Sequence, residues 1–97
     1  MSESALQNPW EARGAHLFFR AFALPDGKEL NLIVFAEKTG PPWLPGPLLW
    51  RWEAIRPEGS TLASGTPDRR EDPKFAAREV ELFAMGVHAG MREGSKG

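Results

Sequence analysis

One nine-residue segment limits the fold more than any other part of this 97-residue sequence. Residues 48–56 read LLWRWEAIR, and over residues 50–54 apolar side chains alternate with charged ones. Two sets result, with Leu48, Trp50, Trp52 and Ala54 on one side and Leu49, Arg51, Glu53 and Ile55 on the other. A period of two is that of a β-strand with one face against a core. The segment therefore predicts a strand whose two tryptophans lie on the same face.

Two more strands are predicted upstream, joined by a tight turn. Residues 15–24, AHLFFRAFAL, are rich in phenylalanine and end before Pro25, and residues 29–37, ELNLIVFAE, follow the turn sequence PDGK. Proline, aspartate and glycine in that order favour a hairpin turn. The centre of the second strand is apolar on both sides. Such a strand usually lies in the middle of a sheet, or has its second face covered by a loop or by another chain.

A helix is predicted after the strands. Asp72 and Pro73 have the residue types that favour a helix N-cap and the first helical position. Apolar residues then recur at helical spacing at Ala76, Val80, Phe83, Ala84, Val87 and Met91. We expect a helix over 72–91 with one face on the sheet. Within it, Gly86 and Gly90 indicate either close backbone packing or early fraying, because glycine disfavours a helix interior.

Together these elements predict the α+β class, with a three- to four-stranded antiparallel sheet packed on one C-terminal α-helix. The short fourth strand would cover residues 61–64. The expected organisation is a flexible N-terminal segment over 1–14, a single α+β domain over 15–93 and a disordered tail over 94–97. Trp10 lies in the first segment, where it either folds back over the edge of the core or stays exposed.

The composition and motifs exclude several kinds of chemistry. The sequence has no cysteine, so disulfides, thiolate zinc sites and cysteine nucleophiles are excluded. Its two histidines, His16 and His88, are distant in sequence, and neither has a carboxylate at the spacing of a helical metal site. Neither a nucleophile elbow nor a phosphate-binding glycine loop is present. We therefore expect no catalytic, metal or cofactor site, no small-molecule ligand, and a protein that is not an enzyme.

The first residues and the hydropathy pattern bear on location. Residues 1–7, MSESALQ, lack the basic start and apolar stretch of a signal peptide. No run approaches the roughly 20 apolar residues of a membrane helix. We expect a cytoplasmic protein that does not enter a membrane.

The charge balance bears on the class of partner. Twelve Lys and Arg residues against thirteen Asp and Glu give a net charge of -1. Nucleic-acid binding depends on cationic side chains that contact phosphates, so a near-neutral domain must gather its basic residues on one face. The balance disfavours a nucleic-acid partner.

A protein partner is the expected alternative, and two regions are candidates for its contact surface. The first is the proline-rich loop over 38–47, KTGPPWLPGP, in which Trp43 and Leu44 either cap the core or anchor a partner. The second is the sheet face that a single helix cannot cover. Its expected members are Phe19, Ile33, Phe35 and Leu49, edged by Arg51 and Glu53. This face predicts a homodimer or another protein interface.

Two further interpretations concern the polar residues of the sheet. Arg51 and Glu53 either form a solvated face with cross-strand partners or contact a partner directly. In the alternative function, a nucleic-acid-binding domain, Arg51 would act together with Arg20 on the first predicted strand and Arg56 at the end of the third.

The stretch from Trp50 to Ala77 is similar to part of the ethylene-response-factor DNA-binding domains of plants, which have three strands and one helix. The matching positions are Trp52, Ala54, Ile55, Arg56, Ala76 and Ala77. In that family, Arg and Trp side chains on the sheet read the major groove of DNA. The resemblance implies the nucleic-acid-binding alternative.

The same region also resembles small uncharacterised proteins of proteobacteria and their phages. The shared features are a W-x-W strand, a P-x-G turn at 57–59, the dipeptide Ser64-Gly65 and an alanine-rich helix. Some phage proteins of this build bind and block a host complex, and these include inhibitors of CRISPR defence. The resemblance implies a phage or mobile-element accessory protein that binds and modulates a host complex.

Overall fold

The computed structural model describes Leu6 and residues 9–94. The elements, in chain order, are β1 (Glu11–Gly14), β2 (Leu17–Ala23), β3 (Glu29–Lys38), β4 (Leu48–Ile55), β5 (Thr61–Gly65) and α1 (Pro73–Gly94). The strands form one antiparallel sheet in the order β1-β2-β3-β4-β5, so each strand pairs with its neighbours in sequence. The predicted α+β class is confirmed, but the described sheet has five strands where three or four were expected.

The additional strand, β1, lies inside the segment that was expected to be a flexible lead-in. Its four residues, EARG, are all exposed and show no apolar alternation that could have revealed a strand. Glu11 pairs with Phe19 and Ala12 with Phe18, and the register is irregular before Gly14. Pairing therefore depends on the edge of β2 and not on local sequence. The rest of the expected lead-in (1–5, 7 and 8) and the tail over 95–97 lie outside the described residues.

The two predicted turns join their strands as expected. Between β2 and β3, the Asp26 carboxylate accepts a hydrogen bond of 2.9 Å from the Lys28 amide. Gly27 has a φ of 87° there, and Gly59 has a φ of 106° between β4 and β5. Glycine adopts this left-handed backbone region without the steric penalty of a side chain, which explains its place in both turns.

Helix α1 begins at the predicted residue. The Asp72 carboxylate accepts a hydrogen bond of 2.9 Å from the amide of Lys74, which is N-cap geometry. The helix continues to Gly94, three residues past the predicted end. The expectation of close backbone packing at Gly86 and Gly90 is wrong, because a Cβ at either position would meet open space. The helix continues past both glycines, and early fraying stays a prediction.

The core lies between α1 and one face of the sheet. Leu32, Val34, Ala54 and Val80 are completely buried there. Trp52 donates its indole N–H to Glu79 at 3.2 Å, and its ring packs against Phe83 with a centroid separation of 5.7 Å. Trp50 is also buried. This confirms that the tryptophans of β4 are core residues under the helix.

Candidate binding surface

The sheet face opposite α1 carries large apolar side chains. Strand pairing aligns Leu17 with Phe35 and Arg51 in one row, and Phe19 with Ile33 and Glu53 in the next. We define the open face by these six residues together with Leu49 and Ile55, which have the same orientation on β4. The apolar members are half-buried or exposed although they belong to a sheet. The six residues predicted to share this face do share it, namely Phe19, Ile33, Phe35, Leu49, Arg51 and Glu53. That they contact a partner stays a prediction.

The open face contains a groove that is accessible to solvent. Its volume is about 420 Å³, and its lining consists of Arg13, Leu17, Phe19, Asn31, Ile33 and Ile55. The lining is mainly apolar, and it belongs to β1 through β4. A groove of this kind shows that the described part of the chain does not seal this face.

The proline-rich loop connects β3 to β4 and exposes its two large apolar side chains. Thr39 and Pro47 close its base, where the Thr39 amide and hydroxyl donate to the Pro47 carbonyl at 3.2 and 3.0 Å. The Lys38 ammonium donates to the carbonyls of two prolines of the loop, at 3.0 and 3.1 Å. Trp43 is 79% exposed and Leu44 52% exposed. The interpretation of these two side chains as a core cap is therefore wrong.

Arg51 and Glu53 are neighbours on β4 with different surroundings. The Arg51 Nη1 donates to both carboxylate oxygens of Glu37, at 3.1 and 3.2 Å, and its guanidinium carbon lies 5.8 Å from the centroid of the Phe35 ring. Glu53 has no hydrogen bond or ion pair within the described part of the chain. The open face thus presents a paired cation beside an unpaired carboxylate.

Arg20 does not belong to this surface. It pairs with Leu32, which pairs with Ala54, so its side chain lies on the helix side of the sheet. Its Nη1 contacts the Glu81 carboxylate of α1. The prediction that Arg20 shares a face with Arg51 is wrong, because β2 is apolar on both sides and its alternation alone did not reveal which side faces the helix.

Arg56 lies just beyond β4, at the turn into β5. Its Nη1 donates to the Ser60 hydroxyl at 3.1 Å and to the Thr61 carbonyl at 3.3 Å. Arg20, Arg51 and Arg56 thus occupy three separate environments. The sequence had suggested that they act on one surface, which this arrangement does not provide.

A second polar cluster, which sequence reasoning missed, connects the N-terminal segment to the helix. Trp10 is 6% exposed and donates its indole N–H to Glu81 Oε2 at 2.9 Å. Arg20 contacts the same oxygen. Of the two alternatives for Trp10, the structure has the one in which it folds back onto the core. No local signal linked it to Glu81, because the two residues are far apart in sequence.

The histidines have aromatic neighbours. The His16 ring lies edge-on to Trp50 at 6.1 Å between centroids, and His88 lies edge-on to Phe22 at 6.3 Å. Among the described residues, no cluster of three or more His, Cys, Asp or Glu side chains is placed to hold a metal ion. Within the same residues, no helix is long and apolar enough to cross a membrane.

Comparison with known proteins yielded no relative: no family model, no curated protein and no solved structure matches the chain. The two resemblances drawn from the sequence therefore remain predictions. Of the positions shared with the plant DNA-binding domains, Trp52, Ala54, Ala76 and Ala77 are buried in the core. In this conformation those four side chains are not on an exposed surface.

Proposed function

We propose that this chain is a non-enzymatic protein-binding module whose contact surface is the open face and the adjoining loop with Trp43 and Leu44. The observation that carries the proposal is that the apolar members of the open face are half-buried or exposed, although the Arg13 guanidinium stacks on one of them, 3.9 Å from the centroid of the Phe19 ring. Helix α1 packs on the opposite side. Contiguous apolar surface on a folded domain is typical of an interaction site, because its exposure to water is unfavourable.

The composition of the surface supports a protein partner. Phe19, Phe35 and Trp43 supply aromatic area, and aromatic side chains dominate the binding energy of many interfaces. Arg51 lies at the margin of these residues with its guanidinium over the ring of Phe35, and arginine is also enriched at interfaces. A central apolar region with charged groups at its border is the usual anatomy of a protein interface.

The electrostatics favour a protein over a nucleic acid. Arg13 pairs with Glu11 at 3.4 Å and Arg51 with Glu37 at 3.1 Å, so both arginines near the open face already have a carboxylate partner. Glu53 adds an unpaired negative charge. Phosphate binding would have to compete with these carboxylates, whereas affinity for nucleic acid depends on unpaired cations. A salt-dependent shift assay with duplex DNA checks this alternative, and we expect no binding at low ionic strength.

Site-specific photo-crosslinking tests the proposal. A photoreactive phenylalanine analogue at Phe35 or at Trp43 would be expressed in the cell from which the sequence comes. The same analogue at Met85, which is 55% exposed on the helix, is the matched control. We expect a crosslinked protein from the two surface positions and none from the control. Yields equal to that of the control at both positions would overturn the proposal.

Affinity measurements then identify the contact residues. With the crosslinked partner purified, calorimetry would compare the wild type with the variants Trp43→Ala, Phe35→Asp and Met85→Ala. We expect the first two to weaken binding by about 30-fold or more, as loss of an interface anchor does. The Met85→Ala variant should bind as the wild type does. Equal affinity for all four proteins would contradict the assignment of the surface.

A further inference from the structure

We propose that the occupant of the open face is a second copy of this chain, docked about a two-fold axis. The axis lies between the two sheets, runs perpendicular to the strands, and crosses β4 midway between Arg51 and Glu53. This inference rests on the proposed function and names its partner. The two sheets would pack face to face, with their strands running in opposite directions, at the separation of roughly 10 Å that is usual for stacked sheets.

The order of side chains along β4 carries the inference. On the open face, this strand presents Leu49, Arg51, Glu53 and Ile55 in turn, so the order is apolar, cation, anion, apolar. A second copy running in the opposite direction presents the same order reversed. Arg51 then faces Glu53 of the second copy, and Leu49 faces Ile55 of the second copy. Reversal thus matches each charge with its opposite and each apolar residue with another.

The same axis produces a match on the neighbouring strands. Strand pairing places Phe35 and Leu17 in the row of Arg51, and Ile33 and Phe19 in the row of Glu53. An axis between these rows puts Phe35 against Ile33 of the second copy. It puts Leu17 against Phe19 of the second copy, at the side where the Arg13 guanidinium stacks on the Phe19 ring at 3.9 Å. The centre of the interface is therefore apolar. A two-fold interface requires such self-complementarity, because the same patch is used on both subunits.

The hydrogen bonds of the open face leave the charged groups available for this contact. Both bonds from Arg51 to Glu37 use Nη1, and within the described structure Nη2 has no bond. Glu53 has no ion pair among the described residues. In the dimer, Arg51 would bridge Glu37 of its own chain and Glu53 of the second copy. A planar guanidinium with several donors suits this double contact.

The area of the face predicts a weak dimer. All five strands, about 4.8 Å apart and some 7 residues long on average, give a whole sheet face on the order of 500 Å² per copy, or about 1,000 Å² in total. That total is near the lower limit of about 1,000 Å² for a specific interface. We therefore expect a dissociation constant in the micromolar range.

Sedimentation equilibrium over a range of concentrations tests the dimer. We expect a reversible monomer–dimer equilibrium for the wild type. The Ile33→Arg variant should be monomeric over the same range, since it places a charge at the apolar centre of the face. The Met85→Arg variant, on the exposed side of α1, should dimerise as the wild type does. Circular dichroism of each variant verifies that it is folded.

A charge exchange tests the geometry. The Arg51→Glu variant has acidic side chains at both positions 51 and 53, which are neighbours on the open face. The Glu53→Arg variant has basic side chains at both positions. Each should dimerise at least about tenfold more weakly than the wild type, since like charges then face each other twice. A mixture of the two variants should form a heterodimer, because both facing pairs become complementary again. The double variant with both exchanges should also regain self-association.

Each alternative result has a definite meaning. A wild type that is monomeric up to about 500 μM would overturn the second-copy inference, since that is far above the micromolar constant expected for this face. A dimer that persists in Ile33→Arg would place the interface elsewhere. A mixture of Arg51→Glu and Glu53→Arg that stays monomeric would refute the two-fold arrangement. In all three cases, crosslinking of Phe35 or Trp43 to a different protein would leave the proposed function standing.

Discussion

Trp10 and Glu81, which are 71 residues apart, are joined by an indole–carboxylate hydrogen bond of 2.9 Å. The accepting oxygen also contacts Arg20 on β2. One carboxylate of α1 therefore holds the N-terminal segment and the second strand. With Trp10 buried over this end of the core, the cluster closes the side of the sheet where β1 is the edge strand.

Removal of this carboxylate should destabilise the fold. In a Glu81→Ala variant, the buried indole N–H of Trp10 and the guanidinium of Arg20 both lose their acceptor. We expect the free energy of unfolding to fall by about 1–3 kcal/mol, because partly buried donors would lack partners. Urea denaturation measures the change, and Glu71→Ala, at an exposed position before the helix, is the control. A loss no greater than that of the control would show that water replaces the acceptor.

Alanine should stabilise the helix at both of its interior glycines. A Cβ at Gly86 or at Gly90 would meet no atom within 4 Å, so alanine fits without displacing a neighbour. We expect each of Gly86→Ala and Gly90→Ala to raise the free energy of unfolding by up to about 1 kcal/mol. Thermal and urea denaturation would measure it. A decrease at either site would indicate that the helix needs flexibility there.

The opposite sign is expected at Gly65 on β5. A Cβ at this position would lie 2.7 Å from Cζ2 of Trp52, whose ring is fixed by Glu79 and Phe83. We expect Gly65→Ala to destabilise the protein by about 1–3 kcal/mol, as overpacking of a core does. Near-ultraviolet circular dichroism should also report movement of the tryptophan. Gly14→Ala is the control, since its Cβ would meet Leu17 at an ordinary 3.7 Å.

Truncation of two tryptophans should separate stability from binding. Trp43→Ala should change the free energy of unfolding by less than about 0.5 kcal/mol, because exposed side chains add little to stability. Trp52→Ala should lower it by about 3–5 kcal/mol, since it removes a large core side chain. Urea denaturation compares the two. A large loss for Trp43→Ala would mean that the loop packs on the domain in solution.

The turn after β4 should respond to pH through Glu58. The hydrogen bond from the Ser60 hydroxyl, at 2.7 Å, is the main cause that lowers the pKa of this carboxyl from its ordinary value. A lowered folded-state pKa contributes stability above the unfolded-state pKa, and this stability is lost as the pH falls through the folded-state value. Ser60→Ala should raise the pKa of Glu58, as measured by NMR titration. Ser64→Ala should leave it unchanged.

Much of the architecture was predictable from local patterns. The alternation over 48–56 identified β4 and placed Trp52 in the core and Arg51 on the other face. The residue types at Asp72 and Pro73 gave the start of α1. These features depend on a few neighbouring residues, and their periods of two and 3.6 are visible without tertiary context. The short strand β1 had no such pattern, since its pairing is determined by the edge of β2.

The sequence by itself determined which residues form the central strands and the helix, and that more apolar strand surface exists than one helix can cover. Only the tertiary structure decided that Arg20 lies under α1, that Trp10 reaches Glu81, and that Trp43 extends into solvent. The physical reason is that periodicity is a local property. Free energies of packing between distant segments decide which side of an apolar strand meets the helix. They also decide which residues lie next to a loop.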